Sequence, residues 1–187
     1  MTAERDPSGI SLDTPGAKAD AGKPCPALVL SGFWPGLVYV AKTGPAAFER
    51  GAPSARQADC FAVLESVARR DVAAAVVACL GMAGYGAAER PVQVDRCTTV
   101  MSLLQVFGPG IDGVIDIGTR GAAKYTDNGW MYVPNGIERY RDALARHTLA
   151  LFNGEVTDPQ WGTPHAHHMA WNALAWATLE APIYAGA

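Results

Sequence analysis

Between Thr163-Pro164 and Pro182 the chain spells a helix that is apolar on nearly every side, and this segment most limits what the chain can fold into. Thr163 offers a capping hydroxyl, Pro164 a preset first-turn φ, and Pro182 a stop just beyond Glu180. Ala, Trp, Met and Leu fill most positions from Met169 to Leu179, so the helix must be largely buried. Yet His165, His168 and Asn172 fall at i, i+3 and i+7, on one stripe. Each buried polar group left unpaired costs roughly 1–3 kcal/mol, so the stripe needs partners. Those partners form either a hydrogen-bonded core network or a chemical site.

The rest of the chain also reads as helical. Asp59 can cap a helix through about Leu80, which Gly81 and Gly84 would end. Thr98 or Thr99 can cap a short helix through Val106. Gly108-Pro109-Gly110 should interrupt it, with Pro109 starting a new helix to about Arg120. Lys124 to Pro134 reads as a loop with turn signals at Asp127-Asn128-Gly129 and Pro134-Asn135-Gly136. Asn135 followed by Glu138 fits a capping box for a helix reaching Phe152, and Asn153-Gly154 is its stop. The expected fold is therefore an all-α helical bundle. The residues divide into an N-terminal arm (1–27), a peripheral segment (28–106) and a helical core (107–187), within one folded domain of 187 residues.

Composition removes several function classes. Net charge is −3, so no global field favours nucleic acid. Cys25, Cys60, Cys79 and Cys97 form no CxxC pair, which argues against structural zinc and for free thiols in a reducing cytoplasm. The N-terminus is polar, without the apolar stretch of a secretory signal. The longest apolar run, Val72 to Met82, is too short to span a bilayer. Neither a P-loop nor a Gly-x-Ser-x-Gly elbow is present, and His165-x-His167-His168 lacks the HExxH setting of a zinc hydrolase.

Several acids qualify as ligands for a hard cation. Asp112 and Asp116 stand four apart on one helix face, a pair that a divalent ion could join. Glu138 and Asp142 have the same spacing, although Asp142 with Arg146 also reads as a surface ion pair. Glu155 and Asp158 flank the next turn, and Glu65 and Asp71 are alternatives beside Arg69 and Arg70. Lys124, Tyr125 and Trp130 put a cation beside aromatics, a combination that can hold phosphate and stack a base; Trp130 could equally anchor the core.

These residues resemble a known family. Gly121-Ala122-Ala123-Lys124-Tyr125 with Asn128 and Trp130 resembles its loop. Arg139-Tyr140-Arg141-Asp142-Ala143-Leu144-Ala145-Arg146-His147 resembles its central helix. Gly154-Glu155, Asp158-Pro159, Gly162, His165, His168 and Asn172 resemble its last segment, and Lys18, Asp20, Gly22, Lys23 and Pro24 its N-terminal motif. The family is that of the phage dATP/dGTP diphosphohydrolases, similar to the all-α MazG-like nucleoside triphosphate pyrophosphohydrolases. The chain departs from the family pattern at Cys25, at Gly113 and at Gln160, where the family commonly has Arg, an acid and an acid.

The resemblance implies Mg²⁺- or Mn²⁺-dependent hydrolysis of dGTP or dATP to the monophosphate and pyrophosphate. In some phages this supplies dGMP for 2-aminoadenine nucleotides. It implies Asp112, Asp116, Glu138 and Asp142 as metal ligands, and His147, Glu155, Asp158, His165 and His168 as catalytic groups. Lys124, Tyr125, Asn128, Trp130, Arg139, Arg146 and Asn172 would hold the substrate, with Tyr125 and Trp130 around the purine. It also implies a homodimer or homotetramer, in the host cytoplasm for a phage protein. The competing reading is a non-enzymatic helical phage protein that binds a host partner.

Overall fold

The computed structural model describes residues 55–85 and 100–181, together with Ile10, Ser11, Pro15, Lys18, Ala27 and Pro35. Cys25 and Cys97, the expected cap at Thr98 or Thr99, and Asp20, Gly22, Lys23 and Pro24 of the N-terminal motif lie outside the described residues. Five α-helices make up most of what is described: α1 Ala55–Arg69, α2 Val72–Tyr85, α3 Val100–Lys124, α4 Gly136–Phe152 and α5 His165–Glu180. A 3₁₀ turn, Gly129–Tyr132, precedes α4. No strand occurs among the described residues, as an all-α bundle requires. None of their helices is long and apolar enough to cross a membrane.

Helix α5 is the hub of the bundle, packed against α2, α3 and α4, while α1 leans on α2 and α4. Met169, Ala170, Ala173, Ala175 and Trp176 bury its apolar sides against Leu144 and Tyr140 of α4 and Leu80 of α2. Residues 55–85 thus share one hydrophobic core with the helices that follow, through Cys60, Val63, Val67, Val76 and Leu80. Cys60 and Cys79 are free thiols, as expected for them.

Three boundaries differ from the sequence reading. The helix expected over 59–80 is two helices, beginning at Ala55 and breaking at Arg70, whose φ of 59° is left-handed. Asp71 restarts the chain by accepting the Ala74 N–H at 3.0 Å. The break lets α1 fold back onto α2. Second, Gly108-Pro109-Gly110 does not interrupt α3, which runs through Pro109. A proline within a helix costs one backbone hydrogen bond. Here that cost is met by close packing: a Cβ on Gly84 would come within 2.7 Å of the Gly110 nitrogen, and one on Gly110 would strike the Leu80 carbonyl. Third, Asn135 makes no capping box. It takes a left-handed φ of 54° and its side chain makes no cap hydrogen bond, although α4 begins and ends as expected.

Candidate functional site

The histidine stripe on α5 is buried, as its setting demands, and its partners come from α4 and from the loop between the two helices. His165, His168 and Asn172 are each at least nine-tenths buried. His147 of α4 meets them: its Nδ1 lies 2.8 Å from the His165 Nδ1, and its ring stacks on His168 with centroids 4.5 Å apart at 12°. Thr163 does not cap α5. Its hydroxyl instead pairs with the His168 Nε2 at 2.7 Å. Asn172 donates to the His168 carbonyl one turn back, at 2.7 Å.

The loop from Asn153 to Pro164 is shaped by Asp158. Gly154 and Gly162 supply positive φ values of 95° and 66° at its two bends. Asp158 Oδ1 accepts the N–H groups of Gln160 and Trp161 at 3.0 and 2.9 Å, and the Asp158 N–H donates to the Thr163 carbonyl at 2.8 Å. The second oxygen, Oδ2, is left facing His147 Nδ1 at 3.8 Å. His147, Asp158 and His165 therefore each offer one ligand atom, all within 4.8 Å of one another. Donors bound to one ion at about 2.0–2.2 Å stand about 3–3.5 Å apart, so this spacing suits an ion after small adjustment. His165 Nε2 is buried without a hydrogen bond, and Glu155 Oε2 lies 3.7 Å from it.

The electrostatics keep His147 and His168 in the neutral form. Burial, then His168 and His165, then Arg146 and Lys18, push His147 down to about 2. Burial is also the main cause that lowers His168 to about 4, against the opposing pull of Asp158. Both are neutral at pH 7, so the His147–Asp158 approach is two donors facing a common gap rather than an ion pair. The same shifts set an acid limit. In the native state these rings resist protonation, whereas an unfolded chain takes up protons near the ordinary value of 6.5. Stability is unaffected by these rings above about pH 6.5 and is lost as pH falls below it, through about 4 for His168 and further for His147. Urea unfolding of metal-free protein should therefore show a midpoint that drops steadily from pH 7 to pH 4.5. A flat profile would remove the buried neutral pair.

Around this cluster is a cavity of about 640 Å³, the size of small-molecule sites. Of the residues expected at a site, it gathers Lys124, Tyr125, Asn128, Trp130, Arg146, His147, Glu155, Asp158, His165, His168 and Asn172. It does not gather Asp112, Asp116, Glu138, Asp142 or Arg139. Asp112 is exposed, and Asp116 is paired at 2.9 Å with Arg120, one turn along α3. Glu138 holds Arg70 at 2.8 Å and Arg141 at 2.5 Å. Burial raises the Glu138 carboxyl, and these two arginines outweigh it and leave it below the usual range. Asp142 accepts the Ala27 N–H at 2.9 Å. Three of the four acids are thus engaged separately and Asp112 is exposed, and the structure does not gather the four around one point. Glu65 pairs with Arg69 at 2.6 Å, and Asp71 serves α2. Arg139 donates to the Lys18 carbonyl, which brings the Lys18 ammonium over the Tyr140 ring at the cavity wall.

Trp161 and Trp171, not named among the expected site residues, also line the cavity, as does Lys18, expected only as part of the N-terminal motif. A tryptophan in an otherwise polar loop, two residues after Asp158-Pro159, was the available signal for Trp161.

Residues 98–183 match the family model described as "dATP/dGTP diphosphohydrolase, N-terminal". The matched span contains α3, α4 and α5 and every cavity-lining residue except Lys18. The chain matches no curated protein and no solved structure.

Proposed function

We propose, from the match of residues 98–183 to the dATP/dGTP diphosphohydrolase family model, that the cavity hydrolyses a purine deoxynucleoside triphosphate to the monophosphate and pyrophosphate. The observation that carries the proposal is the meeting of His147, Asp158 and His165 at the wall of a cavity that also holds cations and aromatic rings. Two imidazoles and one carboxylate form a mixed nitrogen–oxygen set, which suits Mn²⁺ and similar transition ions better than Mg²⁺. A bound ion would neutralise charge on the triphosphate and acidify an attacking water. Lys18, Lys124 and Arg146 supply cations for the phosphates. Glu155, beside the buried His165 Nε2, is placed to accept a proton from water. Asp158 holds the loop in shape through Oδ1 while presenting Oδ2, so one side chain orders the site and offers it a ligand. In a phage, dGMP made this way would feed synthesis of 2-aminoadenine nucleotides; this part of the proposal rests on the family alone.

The test is a panel of deoxynucleoside triphosphates with Mn²⁺ or Mg²⁺, the products separated by chromatography. Pyrophosphate and a purine monophosphate are expected, with faster turnover in Mn²⁺. Release of inorganic triphosphate and nucleoside would replace the proposal with triphosphohydrolase chemistry. Absence of products, together with no metal-dependent thermal shift, would favour a non-enzymatic binding protein.

A further inference from the structure

The cavity wall carries two kinds of side chain. His147, Asp158, His165, Glu155 and Arg146 are polar. Trp130, Tyr125, Trp161 and Trp171 are aromatic, and their rings are not equivalent. Trp130, expected to stack a base, is packed edge to face against Tyr140 at 6.5 Å and 78° and against Trp171 at 5.8 Å and 72°. Its carbonyl is also held by the Tyr140 hydroxyl at 3.0 Å. The Trp130 ring is therefore part of the wall. Tyr125 and Trp161 differ: the same ammonium, that of Lys124, lies over both rings, 5.3 Å from one centroid and 5.5 Å from the other. Two π faces from separate segments thus look onto one point inside the cavity. A cation and a nucleobase use the same face of an aromatic ring, so the lysine marks a place where a flat base can sit.

The position of Trp161 is also tied to the ligand cluster. Its N–H donates to Asp158 Oδ1 at 2.9 Å, and its ring edge meets His168 at 5.7 Å and 85°. His168 in turn stacks on His147. A base beside Trp161 would therefore lie next to the cluster of His147, Asp158 and His165, with its phosphates in reach of those side chains.

We infer that Tyr125 and Trp161 form the base-binding clamp of this cavity, that the purine displaces the Lys124 ammonium from between them, and that Lys124 is then released toward the phosphates. This rests on the nucleotide reading above and adds to it the residues that read the base. Asp158 then links the two halves, fixing Trp161 with one oxygen and facing the ligand gap with the other.

The clamp is tested with the full chain in Mn²⁺, by calorimetric titration with dGTP and, separately, with inorganic tripolyphosphate, which has no base. Trp161→Ala and Tyr125→Ala should each weaken dGTP binding about tenfold or more while tripolyphosphate changes by less than about twofold, because stacking contributes only where a base is present. Trp161→Phe should recover most of the loss, since it restores a π face without the indole. Equal losses for both ligands would overturn the clamp and leave Trp161 as a loop residue acting through Asp158. Unchanged dGTP binding in both alanine variants would overturn it as well. Wild-type turnover decides the other question: pyrophosphate release by the wild type, with equal losses for dGTP and tripolyphosphate in the variants, sinks the clamp and keeps the activity. Base-selective binding without turnover keeps the clamp and sinks the activity.

Discussion

Asp158→Asn is expected to leave the protein folded and to lower turnover by at least about 100-fold, since even residues that merely support a metal ligand cost about 10–100-fold when lost. The substitution separates the two jobs of the side chain. Asparagine keeps a carbonyl oxygen, which can still accept the Gln160 and Trp161 N–H groups now bound at 3.0 and 2.9 Å. It replaces Oδ2, which faces His147, with an uncharged amide nitrogen that has no lone pair for a metal. Asp158→Ala should lose both functions, with a lower unfolding midpoint as well as lost activity. Turnover, Mn²⁺ titration and thermal unfolding of the two variants give the answer together. Near-wild-type activity in Asp158→Asn would remove Asp158 from the ligand set.

The second large effect is expected at a residue that does not line the cavity. Arg141→Ala should destabilise the protein by about 3 kcal/mol or more, read as a lower midpoint in urea unfolding. The Arg141 side chain is only 2% exposed, a rare setting for arginine. Its guanidinium donates to Glu138 at 2.5 Å and to the Val67 carbonyl at 2.8 Å, and lies over the Trp176 ring at 5.4 Å. The Glu138 contact is not the main loss, because that carboxylate is half exposed and keeps Arg70. More is lost at the Val67 carbonyl, which gives up its 2.8 Å charged donor inside the protein and keeps only the Arg70 N–H at 3.3 Å, at a cost of about 1 kcal/mol. The cavity left by a long side chain between α1, α4 and α5 adds to that cost. Arg141→Lys keeps the charge but cannot form the two-pronged contact, so an intermediate loss is expected. A shift below about 1 kcal/mol in Arg141→Ala would show that the site collapses without cost.

Helix content and the buried stripe of α5 followed from the sequence. Apolar positions recurring on all sides of 164–180 force burial, and helical periodicity alone aligns His165, His168 and Asn172. Stops such as Asn153-Gly154 are local backbone events, so they too were legible, down to the left-handed glycine. The family motifs marked the loop and helices that line the cavity. The partners of the individual acids were not legible in this way. Regular spacing made Asp112 with Asp116 and Glu138 with Asp142 look like pairs, because acids four apart share a helix face. Which carboxylate meets which charge depends on the elements that pack alongside. Asp116 had Arg120 within its own helix, whereas Glu138 met Arg70 only because α1 breaks at a left-handed residue and folds onto α4. Likewise Pro109 signals a helix end locally, yet contact with α2 through Gly84 and Gly110 carries α3 through it. The sequence determined the helices and the buried polar stripe, which are properties of periodicity within one segment. The tertiary structure decided that His147, Asp158 and His165 converge and that Tyr125 and Trp161 face one point, because those contacts join α3, α4, α5 and the loop between them, and only packing sets their distances.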